Sequence, residues 1–195
     1  MSATTEVSPF PPMESELVTD RLRLRPWLLA DSGAVRTLWL ERDPRVPARR
    51  RIDDAGRPTE SEIGELIEAQ LEESAASGLS VLAIERRVAP GFIGYCGLSI
   101  GDSTLNEPEI VFELARSVRG RGYATEAASA VLDTAWTTGR SRVWASVREW
   151  NAASFRVLSK LGFTEAARRD PDPDHGDTVW LTLDVSGQER GSRRS

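Results

Sequence analysis

Val118-Arg119-Gly120-Arg121-Gly122-Tyr123-Ala124-Thr125 is the stretch on which the fold is decided. A mostly apolar, strand-like run, Ile110-Val111-Phe112-Glu113-Leu114, comes just before it. A helix-like pattern follows, carried by Ala124, Ala127, Ala128, Val131, Leu132 and Ala135. Two glycines and two arginines therefore stand where a strand turns into a helix. The first N–H groups of a helix have no partner inside it, and with the helix dipole they favour an anion, most often a phosphate. Gly120 and Gly122 let the main chain come close to such a ligand. Arg119 and Arg121 add charge of the right sign.

On either side of the turn, strands and helices alternate. Leu22 and Leu24, ended by Pro26-Trp27, suggest a first strand. Asp31 is placed to cap a helix carrying Val35, Leu38 and Trp39. Residues 43–58 are mostly polar, hold Arg45, Arg49, Arg50, Arg51 and Arg57, and read as a loop. Thr59 and Glu62 form a capping box for a second helix, whose stripe is Ile63, Leu66, Ile67 and Leu71. Residues 79–86 and 92–100 read as strands joined by an Ala89-Pro90-Gly91 turn. Residues 109–117 form the strand before the glycine turn, and residues 142–149 the strand after its helix. Asn151 is a natural cap for a last helix carrying Val157, Leu158 and Leu161, with Gly162 as its stop. Residues 163–167 and 178–185 are the final strands. The order is mixed α/β (α+β), and the hairpins predict a mostly antiparallel sheet.

The 195 residues and their six tryptophans fit one folded domain. Its expected bounds are residues 16–185, between a Ser/Thr/Pro-rich tail at 1–15 and a Gly/Ser/Arg-rich tail at 186–195. No apolar run approaches the roughly 18 residues of a membrane span, and residues 1–16 lack a basic-then-apolar leader pattern. Cys96 is the single cysteine, so an internal disulfide framework is excluded. The expected compartment is the cytoplasm. A net charge of -5 argues against general nucleic-acid binding. His175 lies among aspartates in a Pro-rich turn that reads as an exposed hairpin loop, and no metal is expected there.

Several ligands fit a glycine turn. Gly120-x-Gly122 matches the first two glycines of a dinucleotide fingerprint, with Glu149 ending the next strand, but Thr125 stands where the third glycine belongs. The chain after the turn is also short for a two-halved, doubly wound sheet. A phosphate-loop nucleotidase lacks its Gly-Lys-Ser/Thr ending.

More of the chain is covered by a family resemblance. Arg119-x-x-Gly122-x-Ala124 looks like the Arg/Gln-x-x-Gly-x-Gly/Ala signature of the GNAT acetyltransferases. The surrounding Arg-Gly-Arg-Gly-Tyr-Ala-Thr-Glu-Ala resembles the branch of RimJ/RimL type, which acetylates ribosomal-protein N-termini. Thr19-Asp20-Arg21-Leu22-Arg23-Leu24-Arg25-Pro26 resembles that branch's first strand. Phe92-Ile93-Gly94-Tyr95-Cys96-Gly97-Leu98 resembles its third strand. Asn151-Ala152-Ala153-Ser154 with Ser159-Lys160-Leu161-Gly162-Phe163 resembles its last helix and strand. The match runs over residues 16–185.

The resemblance implies a GNAT fold, with a sheet of about six or seven strands, about four helices, and a splay between the fourth and fifth strands. It implies acetyl-CoA as co-substrate and a primary amine as acceptor: a peptide or protein N-terminal α-amine, or a small-molecule amine. The backbone amides of Arg119, Gly120, Arg121, Gly122, Tyr123, Ala124 and Thr125 would hold the pyrophosphate. The backbone of residues 112–115, in particular Phe112, Leu114 and Ala115, would pair with the pantetheine arm. Asn151 bonds that arm in the family, and it is also a plain N-cap. The implied oligomer is a monomer or homodimer.

An amine must lose its extra proton before it attacks a thioester, since an α-amine has a pKa near 8 and a lysine near 10.4. Glu109 opens the central strand, and Glu109-Ile110-Val111-Phe112 resembles the strand that bears the catalytic glutamate in several members. Glu113, four residues on, points the same way if the strand is regular. Either is a candidate base. Many members protonate the leaving thiolate with a tyrosine on the last helix, where Leu158 stands here. The RimJ/RimL branch often has a serine nearby, and Ser154 fits that position as the candidate acid. The missing tyrosine also leaves a non-catalytic acyl-CoA sensor as the rival reading. The acceptor is open: the Arg-rich loop at 43–58 forms one wall of the family's acceptor site, and it reads either as an attractor of acidic substrates or as a solvated loop.

Overall fold

The computed structural model describes residues 9–185. The expected tail at 186–195, and residues 1–8, lie outside the described residues. Among the described residues, eight strands form one sheet in the order β1-β2-β3-β4-β5-β6-β8-β7. The strands are β1 (Leu17–Val18), β2 (Leu22–Arg25), β3 (Val81–Arg86), β4 (Ala89–Ser99), β5 (Glu109–Leu114), β6 (Arg142–Arg148), β7 (Thr164–Asp170) and β8 (Thr178–Asp184). The helices are α1 (Ser32–Leu40), α2 (Glu60–Ser77), α3 (Tyr123–Thr137) and α4 (Ala152–Lys160). This is the expected α/β architecture with one short edge strand, β1, added. None of these helices is long and apolar enough to cross a membrane.

Every neighbouring pair is antiparallel except β5 and β6, which are parallel and meet at one register point, Glu109 with Trp144. Beyond that point the two strands diverge, which is the expected splay. Alternation along β5 sends Ile110 and Leu114 into the larger core with α3 and sends Val111 into a second core with Trp27, Val35, Ile63 and Ile67. The β5–α3–β6 crossover thus covers one sheet face, and α1 and α2 cover the other.

Several local expectations change. Asp31 does not cap α1: its carboxylate takes two bonds from Arg25, both 2.8 Å, and one from the Leu28 amide, 2.9 Å. A buried guanidinium at bonding distance outcompetes the cap. Thr59 and Glu62 do form their capping box. Ile63 and Ile67 are buried, while Leu66 and Leu71 face solvent, so α2 uses a narrower stripe than its sequence offers. The β3–β4 turn falls at Arg87-Val88, and Pro90 and Gly91 form an irregularity inside β4, where the register slips between Glu85 and Arg86. Ahead of β1, Met13 is 7% exposed, its amide bonds the Gly78 carbonyl at 2.9 Å, and the Phe10 ring lies against Arg140.

Candidate active site

The glycine turn is built as a helix N-terminus with its donors bare. After a 3-10 turn over Arg116–Val118, Arg119 is extended. Gly120 and Gly122 then take left-handed φ values of 77° and 82°. Those angles suit glycine and swing the chain into α3. The first helical bond runs from the Glu126 amide to the Gly122 carbonyl. The amides of residues 120–125 donate no hydrogen bond within the described chain. They are a fit for an anionic group.

Residues far away in sequence hold this turn. Glu126 accepts from Thr19 Oγ1 at 2.6 Å, from the Arg21 amide at 3.0 Å and from Arg21 Nε at 2.6 Å. Arg21 Nη1 also reaches the Arg121 carbonyl at 2.9 Å, and its guanidinium lies 4.7 Å from the Tyr123 ring centre. Burial alone would raise the Glu126 pKa, but the bonds from Thr19 and Arg21 bring it below the usual carboxylate range. Arg119 turns back, and its Nε donates to the Leu114 carbonyl at 2.8 Å.

The gap beside β5 has a readable polarity. The Ala115 amide bonds the Ile93 carbonyl on β4. Ladder alternation then turns Val111 and Glu113 toward β4 and sends the N–H and C=O of Phe112 and Leu114 into the gap. Both polar backbone groups of Ala115 are taken, since its carbonyl accepts from the Val118 amide. Ala115 therefore has none to give a pantetheine arm. The Leu114 carbonyl likewise already accepts one bond, from Arg119 Nε, so the Leu114 amide and both polar backbone groups of Phe112 are the ones left without a partner among the described residues. Across the gap, the bonds Val185 N–H to Ser141 and Glu149 N–H to Asp177 set the parity of β6. That parity points the backbone N–H and C=O of Ser146 into the same space.

Glu109 lies at the apex of the splay and is 5% exposed. Its Oε1 accepts from the Asp102 amide at 2.7 Å, and its Oε2 from the Ser146 hydroxyl at 2.7 Å. Gly101 leaves the room, since a Cβ there would come within 2.6 Å of Oε1. Burial pushes the Glu109 carboxyl above its usual pKa, and the bonds from Ser146 and Asp102 oppose that rise.

The regular β4–β5 register keeps Glu113 on the same sheet face as Glu109, but its partners differ. Arg42 spans both its oxygens, with Nη2 to Oε2 at 2.6 Å and Nε to Oε1 at 3.0 Å, and the Tyr95 hydroxyl donates to Oε2 at 2.9 Å. Arg42 also lies 4.0 Å from the Trp39 ring centre and bonds the Arg50 carbonyl. Three residues later, Arg45 stacks 4.3 Å from the Trp150 ring centre, just past β6. Glu41, beside Arg42, accepts from the Arg116 amide at 2.7 Å. The chain leaving α1 thus reaches from β5 to the end of β6 on the face that carries Glu109. Two of the loop's five arginines are matched locally, Arg45 by Asp43 and Arg57 by Glu62.

Asn151 caps α4, its Oδ1 accepting from the Ser154 amide at 3.2 Å. Its side-chain NH2 and the Ser154 hydroxyl make no bond within the described chain. Leu158 is fully buried in the larger core. Cys96 is buried too, and burial pushes its thiol well above the ordinary range, so it is packing rather than nucleophile. His175 approaches Asp172 at 3.2 Å, and no group of three or more metal-ligating side chains forms among the described residues. Thr19, Arg21, Tyr95, Arg42 and Ser146 were not marked as site residues by the sequence. Among them, Thr19 and Arg21 before β2 and Tyr95 on β4 fall within stretches that carry the family resemblance.

Residues 21–164 match the family model described as acetyltransferase (GNAT) domain. An uncharacterized N-acetyltransferase, p20, of Bacillus licheniformis is 28% identical over 163 residues, covering 82% of this chain and 89% of its own. An acetyltransferase structure from Agrobacterium tumefaciens is 28% identical with a TM-score of 0.67, covering 86% of this chain and 93% of its own. Mycobacterium smegmatis RimJ, solved in complex with CoA-disulfide, shares the fold at 19% identity and a TM-score of 0.68, with 93% and 90% covered. With its splayed β5–β6 pair and bare α3 amides, the chain belongs to the GNAT acetyltransferase family, whose co-substrate is acetyl-CoA.

Proposed function

We propose that this chain transfers an acetyl group from acetyl-CoA to a primary amine by direct attack within a ternary complex. The acceptor is a peptide or protein N-terminal α-amine, as in the RimJ/RimL branch the sequence resembles, or a small-molecule amine, in the cytoplasm. The observation that carries the reading is the buried Glu109 at the apex of a gap lined by unpaired backbone, with the bare amides of residues 120–125 at its open end.

The residues divide the work. The turn amides bind the pyrophosphate, and the arginine stack beneath them keeps the turn in place. Phe112 and Leu114 offer strand-like pairing to the pantetheine arm, and Asn151 keeps donors for it. Glu109 is the base; burial raises its affinity for the proton it must accept, closer to neutral pH where a base works best. The Phe112 and Ser146 amides point into the gap and are placed to stabilise an oxyanion. The Ser154 hydroxyl is free to protonate the leaving thiolate. Glu113, held on both oxygens, serves as an anchor.

Thiol release from acetyl-CoA tests this, with a panel of peptides with free α-amines, single amino acids, polyamines and an aminoglycoside. Turnover with at least one amine is expected. Tight acetyl-CoA binding without turnover on any of them would leave the chain as an acyl-CoA sensor.

A further inference from the structure

Glu109 has a problem as a base: it is 5% exposed and both its oxygens are occupied. One partner, the Asp102 amide, is a donor with no acceptor capacity, so nothing passes through it. The other is the Ser146 hydroxyl, 2.7 Å from Oε2. Ser146 is exposed, in contrast to its neighbours Ala145 and Val147, which point into the core. A hydroxyl both donates and accepts, so Ser146 has lone-pair capacity left on the side facing solvent. It stands on β6 two residues beyond Trp144, the last point where β5 and β6 pair. That places it at the apex of the gap, on the face from which an acceptor reaches Glu109.

We infer that Ser146 is a catalytic proton relay, taking the proton of the incoming amine and passing its own to Glu109. This rests on the reading of Glu109 as base. An ammonium N–H bond breaks as an O–H bond forms at Ser146 Oγ, and the hydroxyl's original proton moves to Glu109 Oε2. Ser146 ends unchanged, the amine is neutral and Glu109 is protonated. After attack, the second amine proton leaves with the thiol as the tetrahedral adduct collapses. Glu109 then returns its proton to water by the reverse path. No oxidant, reductant or metal is needed.

The other charged groups around Glu109 are compatible with this path. Asp102, on the β4–β5 loop, favours the protonated carboxyl, and Arg168, on β7, favours the charged one. Neither bonds the carboxylate through its side chain, so neither offers a competing route.

The test compares wild type, Ser146→Ala, Ser146→Thr, Glu109→Gln and the double variant Ser146→Ala/Glu109→Gln, with acetyl-CoA and each panel amine that the wild type acetylates. Ser146→Ala should lose at least about tenfold in kcat, and Ser146→Thr, which keeps the hydroxyl, should recover most of it. The double variant should be no slower than Glu109→Gln alone, because the two groups act as one unit. The pH–rate profile of Ser146→Ala should shift upward, since the carboxylate loses a bond that favours its charged form. A mixed H2O/D2O series should be curved for wild type, reporting two protons in flight. Full activity in Ser146→Ala with a crippled Glu109→Gln overturns the relay and leaves the base assignment standing. Full activity in Glu109→Gln removes the base, and the relay with it.

Discussion

Arg42 and Glu113 are paired across the interface between the end of α1 and β5, with Nη2 2.6 Å from Oε2 and side chains only 8% and 17% exposed. This pair fixes where the chain leaving α1 crosses the face that carries Glu109. It also separates two carboxylates that share a face of one strand: Glu109 has a hydroxyl and an amide for partners, whereas Glu113 has a cation beside its hydroxyl. Glu113→Gln leaves the Arg42 charge uncompensated in a largely buried site, at a cost of about 3 kcal/mol. The expected kinetic result is an amine KM raised about tenfold, with acetyl-CoA affinity and the pH dependence of kcat unchanged. A drop in kcat of about a hundredfold with an unchanged amine KM would instead make Glu113 the base.

Gly122→Val should weaken acetyl-CoA binding at least about tenfold. The left-handed φ of 82° is costly for any L residue and worst for a β-branched one. The new Cβ would sit in ordinary contact with Arg21 Nη2, 3.4 Å away, so the cost lies in the backbone conformation and not in a clash. Arg21→Ala leaves the glycine in place and removes the group that ties the turn to β2, so a smaller loss, about fivefold, is expected, as for one or two partly exposed hydrogen bonds. Calorimetric titration with acetyl-CoA reads both. Wild-type affinity in Gly122→Val would refute the placement of the pyrophosphate on this turn.

What the sequence made legible was local. The helix-start signals at Thr59 and Asn151, the glycine turn and the strand before it all depend on residues within a few positions of one another. The GNAT resemblance then supplied the splay and the donor turn. Illegible were the contacts that join distant segments: Arg21 with Glu126, 105 positions apart, Arg42 with Glu113, 71 apart, and Ser146 with Glu109, 37 apart. No periodicity records such pairs. Asp31 was misread for the same reason, because an Arg25 carboxylate bond and a helix cap look alike in sequence. Leu66 and Leu71 show the converse limit: apolar spacing marks a stripe, and packing decides how much of it is used.

Glu109→Gln should make opposite changes in rate and in stability. The folded-state pKa of Glu109 is raised, chiefly by burial. Its contribution to stability is therefore fully present below the unfolded value of about 4.3 and is lost as pH rises through the folded value. A glutamine carries no charge to bury. Thermal unfolding should show the variant gaining on wild type as pH rises from about 4 to 8, while its rate stays about a hundredfold down at pH 7. A Tm difference that is flat across that range would mean the carboxylate is not destabilised by its site.

Asp31 supplies the opposite sign. Burial raises its pKa, but the bonds from Arg25 and from the Leu28 amide outweigh that and leave it below its unfolded value. Its contribution is thus present above the unfolded pKa of about 3.9 and is lost as pH falls through the folded one. Arg25, 10% exposed at its side chain, keeps Glu85 at 2.8 Å when Asp31 is removed, yet loses its two-pronged partner. Asp31→Ala should destabilise the fold by about 3 kcal/mol at pH 7. Urea unfolding at pH 7 and again near pH 3 measures the gap, which should narrow at the lower pH. A gap that stays the same would mean that Asp31 contributes through its shape and its bond to the Leu28 amide rather than through its charge. Because this pair joins β2 to the turn that starts α1, the loss should appear as an earlier global transition, with acetyl-CoA affinity preserved at temperatures where the variant remains folded.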